Sequence, residues 1–181
     1  MKHRVVVTGV GVISPVGNDI ATFWEALLSG KSGVGPITSF DASAQSVRIA
    51  GEVKDFDPTL YLDRKEAKRI ARFSQFAIAA GKQAWAMAGI KDIDPTRFGV
   101  YVGSGIGGLN VIEEQVAILL SKGPSKVSPF TIPAAIINMA AGNLAIALGA
   151  KGPNICSVSA CASGGHAIGD AFQLVSNGVA E

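Results

Sequence analysis

Residues 5–12, VVVTGVGV, form an apolar, β-branched run of strand length, which predicts a buried core strand. Behind it, Ile20, Phe23, Trp24, Leu27 and Leu28 recur at helical spacing. Asn18 or Asp19 is placed to cap that helix and Gly30 to end it. Periodicity is then lost over residues 31–62, where Gly, Pro, Ser and Asp recur, and the pattern predicts an excursion over the surface. Asp63 followed by Glu66 resembles a capping box, opening a helix predicted to run to about Ala88, with Gly89 as its stop. Residues 98–102 read as a short strand ending in GSGIGG, and residues 109–120 as a helix. After the loop KGPSKVSP comes an uncharged helical stretch over 127–150, then a strand over 154–159 and a helix over 162–175. Strand and helix alternate, which predicts an α/β fold with a mainly parallel sheet covered on both faces.

Composition bounds this picture. The chain has 181 residues, of which 48% are hydrophobic and 17% charged, so one compact domain with a real core is expected. A net charge of +2 is too small to point to nucleic acid, and any basic partner surface must be local. The apolar N-terminal run is not read as a signal peptide, because Gly9, Gly11, Ser14 and Pro15 interrupt it. The stretch 127–150 is long enough to span a bilayer, but its prolines, asparagines and many alanines fit a helix buried in protein, and no membrane is expected. Only two cysteines are present, which favours a reducing, cytoplasmic setting over a disulfide framework. The chain stops three residues after Asn177-Gly178, where the alternation calls for a strand, so the sequence is expected to be cut.

Three features bear on chemistry. GSGIGG satisfies a dinucleotide fingerprint in its strand-to-helix context, but no acidic residue follows between Gln115 and Lys151. Close backbone packing is the simpler use of these glycines. Cys156 lies in strand-like sequence and reads as a small buried hydrophobe, and no metal site is expected from the spacing of Cys156, Cys161 and His166. Cys161 stands at a strand-to-helix corner between Ala160 and Ala162. A helix N-terminus there favours a thiolate and offers N–H groups to an oxyanion. On spacing alone, a nucleophile and a structural cysteine both remain open. No base is visible for it: His3 begins the first strand, and His166 points about 140° away on the helix and reads as a core histidine. The third feature is Arg64, Lys65, Lys68, Arg69 and Arg72, spaced to give the long helix one positive face. Cations gain nothing at a helix N-terminus, which makes an acidic partner a candidate beside the ordinary solvated face.

VVVTGVGVISPVGN, GSGIGG and SACASGGHAIG, in this order and spacing, resemble the β-ketoacyl-[acyl-carrier-protein] synthases over the whole chain. Ile106 within GSGIGG resembles the synthase II branch. The resemblance implies a layered α/β/α thiolase-like fold with a mostly parallel mixed sheet. It also implies that residues 1–181 are a partial N-terminal synthase domain, most of the first of two similar halves. The implied reaction is fatty-acid elongation by decarboxylative Claisen condensation, in which an acyl-enzyme thioester is attacked by malonyl-acyl-carrier protein. By the same resemblance Cys161 accepts the acyl chain, and its backbone N–H is half of an oxyanion hole. Ile106 gates the acyl pocket and Ala160 lines it. Lys65, Lys68, Arg69 and Lys126 meet the acidic acyl carrier protein, in its acyl- and malonyl-loaded forms. The whole enzyme is expected to be a homodimer without cofactor. The family's two catalytic histidines and its lysine lie in the second half, so the isolated chain is expected not to condense. The alternative is an inert fragment that only binds acyl carrier protein, and a nucleotide-binding half-domain is the weaker rival.

Overall fold

The structure is a computed structural model and describes residues 3–181. Its centre is a parallel pair, β3 (Val100–Gly103) and β4 (Asn154–Ser157), with Val102 opposite Cys156 and Gly103 opposite Ser157. Parallel neighbours require a long crossover. Here α4 (Leu109–Lys122), α5 (Thr131–Ala135) and α6 (Met139–Leu148) supply it. Helix α6 packs on both strands and against α3 (Arg72–Ala88), and α7 (Ser163–Ser176) packs on the same two strands. Val100, Ile78, Ala141, Leu144 and Ala145 form the buried core between these elements. The remaining strands, β1 (Gly35–Pro36) and β2 (Ile49–Ala50), form a small antiparallel ribbon inside the predicted excursion.

Local chemistry explains where the elements begin and end. Helix α1 (Ile20–Leu28) starts at Asp19, whose carboxylate accepts the Thr22 N–H at 2.9 Å. Helix α3 stops at Gly89, whose φ of 63° is left-handed and favours glycine.

Three expectations are corrected. Residues 5–12 form no strand: the N–H groups of Val10 and Val12 go to Met87 Sδ and to Gln83 Oε1 at 3.0 Å rather than to a ladder. Val6 and Val7 are exposed rather than core. Gly9 and Gly11 cross α3 so closely that a Cβ would overlap the Ala84 and Ala80 carbonyls.

The helix predicted from Asp63 is broken. Asp63 caps only the single turn α2 (Arg64–Ala67), and Ala71 is extended. Gln75 Nε2 donates to the carbonyls of Ala67 (2.8 Å) and Ile70 (3.0 Å), satisfying groups that a continuous helix would have bonded itself.

The uncharged stretch is likewise two helices, α5 and α6, because Ala135 O accepts the N–H of Gly108 at 3.0 Å and Ile136 is extended. No helix among the described residues is long and apolar enough to cross a membrane.

Candidate active site

Cys161 sits in a single 3-10 turn, Ala160–Ala162, between the end of β4 and the start of α7, and it is exposed. Three small-scale features build this corner. Ala160 has φ of 48°, in the left-handed region that an alanine adopts only at a cost of about 1–2 kcal/mol. Ala162 N–H donates to Ser159 O at 3.0 Å, closing the turn around the cysteine. Ser163, only 2% exposed, accepts the Ser159 N–H at 2.8 Å and donates to Ala160 O at 2.7 Å. The Ala162 and Ser163 N–H groups are bonded within the turn, which leaves the Cys161 N–H as the group placed to meet an oxygen bound over the sulfur.

The GSGIGG segment lies against this corner. A Cβ on Gly103 would overlap the Ser163 backbone, and one on Gly105 would stand 3.5 Å from Ala160 Cα. Gly107 (φ 77°) and Gly108 abut Ile137 and Ala135 on the other side. These glycines are packing surfaces, and the Gly108 amide is already spent on Ala135 O. The arrangement supports the packing reading over a phosphate cradle.

Ile106 is exposed and lines an apolar cavity of about 550 Å³ with Ile112, Val116, Leu119, Ile132 and Ile136. Through Gly105 the loop carrying Ile106 lies against Ala160, the residue before Cys161, so one loop connects the cavity wall to the cysteine turn. The other thiol is different in kind. Cys156 is half-buried in β4, and burial pushes its pKa up, which suits a packing residue.

The predicted basic face is not carried by one continuous helix. Lys65, Lys68, Arg69 and Lys126 are all exposed, and Arg72, which the break after α2 places on α3, lines the same cleft as Lys68 and Arg69. Arg72, itself exposed, donates to Val53 O at 2.9 Å and lies over the Phe56 and Phe76 rings. Arg69 lies 4.7 Å over Phe130, an anchor that spacing gave no hint of. Lys68 and Arg69 line a cleft of about 360 Å³ with Ser128 and Phe130, while Lys65 and Lys126 stand outside it. His166 is corrected as well: it is exposed rather than core-packed, with Nδ1 on the Ser159 hydroxyl at 2.5 Å. No group of three or more metal-ligating side chains occurs among the described residues.

Residues 2–181 match the family model described as "Beta-ketoacyl synthase, N-terminal domain". The chain belongs to the β-ketoacyl synthase family. It is 58% identical to a 3-oxoacyl-[acyl-carrier-protein] synthase 2 from a Synechocystis species and 50% identical to that of Coxiella burnetii, over 99% of this chain in both cases. The chain spans 44% of the length of these curated relatives. Among solved structures, the ishigamide ketosynthase/chain length factor superposes with a TM-score of 0.92 at 27% identity, covering 100% of this chain and 46% of that one. A type II PKS acyl-carrier protein in complex with its ketosynthase, bound to the hexaketide, superposes at 0.84 with 30% identity, over 100% of this chain and 50% of that one. The fold of this β-ketoacyl synthase chain is therefore the layered, thiolase-like α/β fold of the ketosynthases.

Proposed function

We propose that residues 1–181 are a partial N-terminal domain of a β-ketoacyl synthase and that Cys161 is its acyl acceptor. The observation that carries this reading is an exposed thiol on a tight strand-to-helix turn, with an apolar cavity beginning on the adjoining loop. The Cys161 sulfur attacks the thioester carbonyl of an acyl-loaded carrier, forming a new thioester, and the carrier leaves as its thiol. Ile106 gates the cavity that receives the chain, and Ala160 lines its entrance. In the whole protein, malonyl-carrier loses carbon dioxide, and the resulting carbanion attacks the Cys161 thioester, expelling the sulfur and leaving a 3-oxoacyl chain on the carrier. The proposed setting is fatty-acid elongation in the cytoplasm, by a homodimer that works without cofactor. These 181 residues alone are expected to accept an acyl group without condensing it.

Acyl carrier protein is the proposed partner, met by Lys65, Lys68, Arg69 and Lys126. The exposure of all four supports this, as does the acyl-carrier complex of a related ketosynthase. The same face favours a second reading, a chain that binds the carrier without taking its acyl group.

Mixing the protein with fatty-acyl-loaded carrier and reading the intact mass separates the two. A mass gain of one acyl group, absent in Cys161→Ala, is expected. Salt-sensitive binding with no mass gain would leave the binding reading in its place.

A further inference from the structure

Ser163 is the only side chain seen to hold both sides of the cysteine turn among the described residues. Its hydroxyl accepts from the residue before Ala160 and donates to Ala160 itself, and it is buried at 2% exposure. Below it, the Gly103 backbone presses on the Ser163 carbonyl, so the serine cannot sink away from the turn. We infer that Ser163 is a positioning residue for acyl transfer, whose two hydrogen bonds hold Ala160 at positive φ and so aim the Cys161 sulfur and amide at the incoming carbonyl. This rests on the acyl-acceptor reading of Cys161.

The physical argument has two parts. A left-handed alanine persists only where its surroundings over-determine it. Here the over-determining contacts are the two Ser163 bonds and the Ala162-to-Ser159 bond. Without the hydroxyl, the Ser159 N–H loses its partner and the Ala160 carbonyl keeps only the Ser163 backbone N–H, so the hold on Ala160 at positive φ is weakened. Cys161 is the next residue, so a change at Ala160 moves both sulfur and amide. A displacement of about 1 Å in a reacting group can cost on the order of 100-fold in rate.

The test uses the native protein and fatty-acyl-loaded acyl carrier protein, comparing wild type with Ser163→Ala, Ser163→Thr, Ala160→Gly and the double variant Ala160→Gly/Ser163→Ala. The readouts are the rate of acyl transfer to Cys161 per folded molecule, its half-saturating carrier concentration, and the rate of Cys161 alkylation by iodoacetamide. In Ser163→Ala the saturated transfer rate is expected to fall about 10- to 100-fold with half-saturation unchanged. Threonine keeps the hydroxyl and is expected to restore most of the rate. The double variant is expected to recover part of it, because glycine holds positive φ without help. If Ser163→Ala does not fold, the double variant against Ala160→Gly gives the same comparison. A serine that serves stability alone would lower the folded fraction and leave the rate per folded molecule unchanged, which overturns the inference.

Should the wild type take no acyl group, the acyl-acceptor reading itself fails. Iodoacetamide still reads the clamp in that case: slower alkylation in Ser163→Ala, restored in Ser163→Thr, supports it, and equal rates across the variants refute it.

Discussion

At the scale of single residues, the two cysteines illustrate what spacing does and does not reveal. Both sit near the same strand end, yet one is exposed on a turn and the other half-buried in a ladder. Iodoacetamide at mildly alkaline pH is therefore expected to label Cys161 well before Cys156, whose thiol burial holds in its protonated form. Peptide mapping after partial labelling checks this, and faster labelling of Cys156 would contradict the placement.

The corner residue Cys161 was legible because small neighbours, a strand-like run and a helix-like run converge on it. Ser163 was not, since its role depends on a positive φ at Ala160 that no periodicity announces. Nor was the seat of Arg69 on Phe130, which joins residues far apart in the chain. Gly103 belongs to the same class. Gly103→Ala is expected to destabilise the fold by about 1–3 kcal/mol, because the new methyl must displace backbone rather than a flexible tip. A denaturant titration measures it.

Among elements, caps and stops were readable and continuity was not. Asp19, Gly30 and Gly89 mark helix ends as their chemistry predicts. Asp19→Ala is expected to cost about 1 kcal/mol of stability through loss of the Thr22 bond, again by denaturant titration. The interrupted helices escaped notice for one reason: in each case a distant group takes over a carbonyl. Gln75 does so at the end of α2 and Gly108 at the end of α5. The unpaired segment 5–12 follows the same logic, its N–H groups being met by side chains of α3.

One carboxylate of the excursion gives it an acid-sensitive hold. Glu52 accepts the Thr38 N–H and hydroxyl and the Ser39 N–H, and these bonds hold its pKa down to about 2 from an ordinary 4.5. A depressed carboxylate stabilises the fold fully above its unfolded pKa, and that support is lost as pH falls. Protection of the Thr38 and Ser39 amides, measured against their intrinsic exchange rates at each pH, is thus expected to fall between pH 4.5 and about 2, and Glu52→Gln to remove that dependence.

For the molecule as a whole, alternation predicted the α/β class, and the central parallel pair bears it out. What periodicity could not convey is how much apolar surface stays uncovered. Val7 is 84% exposed and Ile168 75%, with Ile155, Phe172 and Leu120 also on the surface. Ile168 and Phe172 stand four residues apart on one face of α7, and exposed apolar patches mark surfaces that associate. The 181 residues expressed alone are accordingly expected to self-associate at micromolar concentration, and sedimentation velocity would show it. A clean monomer would argue that these side chains find cover within the chain. Carrier binding is expected to weaken with rising ionic strength and with Lys68→Ala, the cation that lines the cleft beside Arg69.

The loop of residues 103–108 touches the cysteine turn at one end and the α5–α6 junction, part of the cavity wall, at the other. It therefore behaves as a gauge block: the spacing between the cysteine turn and the cavity wall is set largely by glycine backbone lying against Ser163 and Ala160 at one end and against Ala135 and Ile137 at the other. One residue inserted there would lengthen the gauge by up to about 3.5 Å. A rigid spacer of this kind transmits a change in residue count directly into the distance between the cysteine turn and the cavity wall.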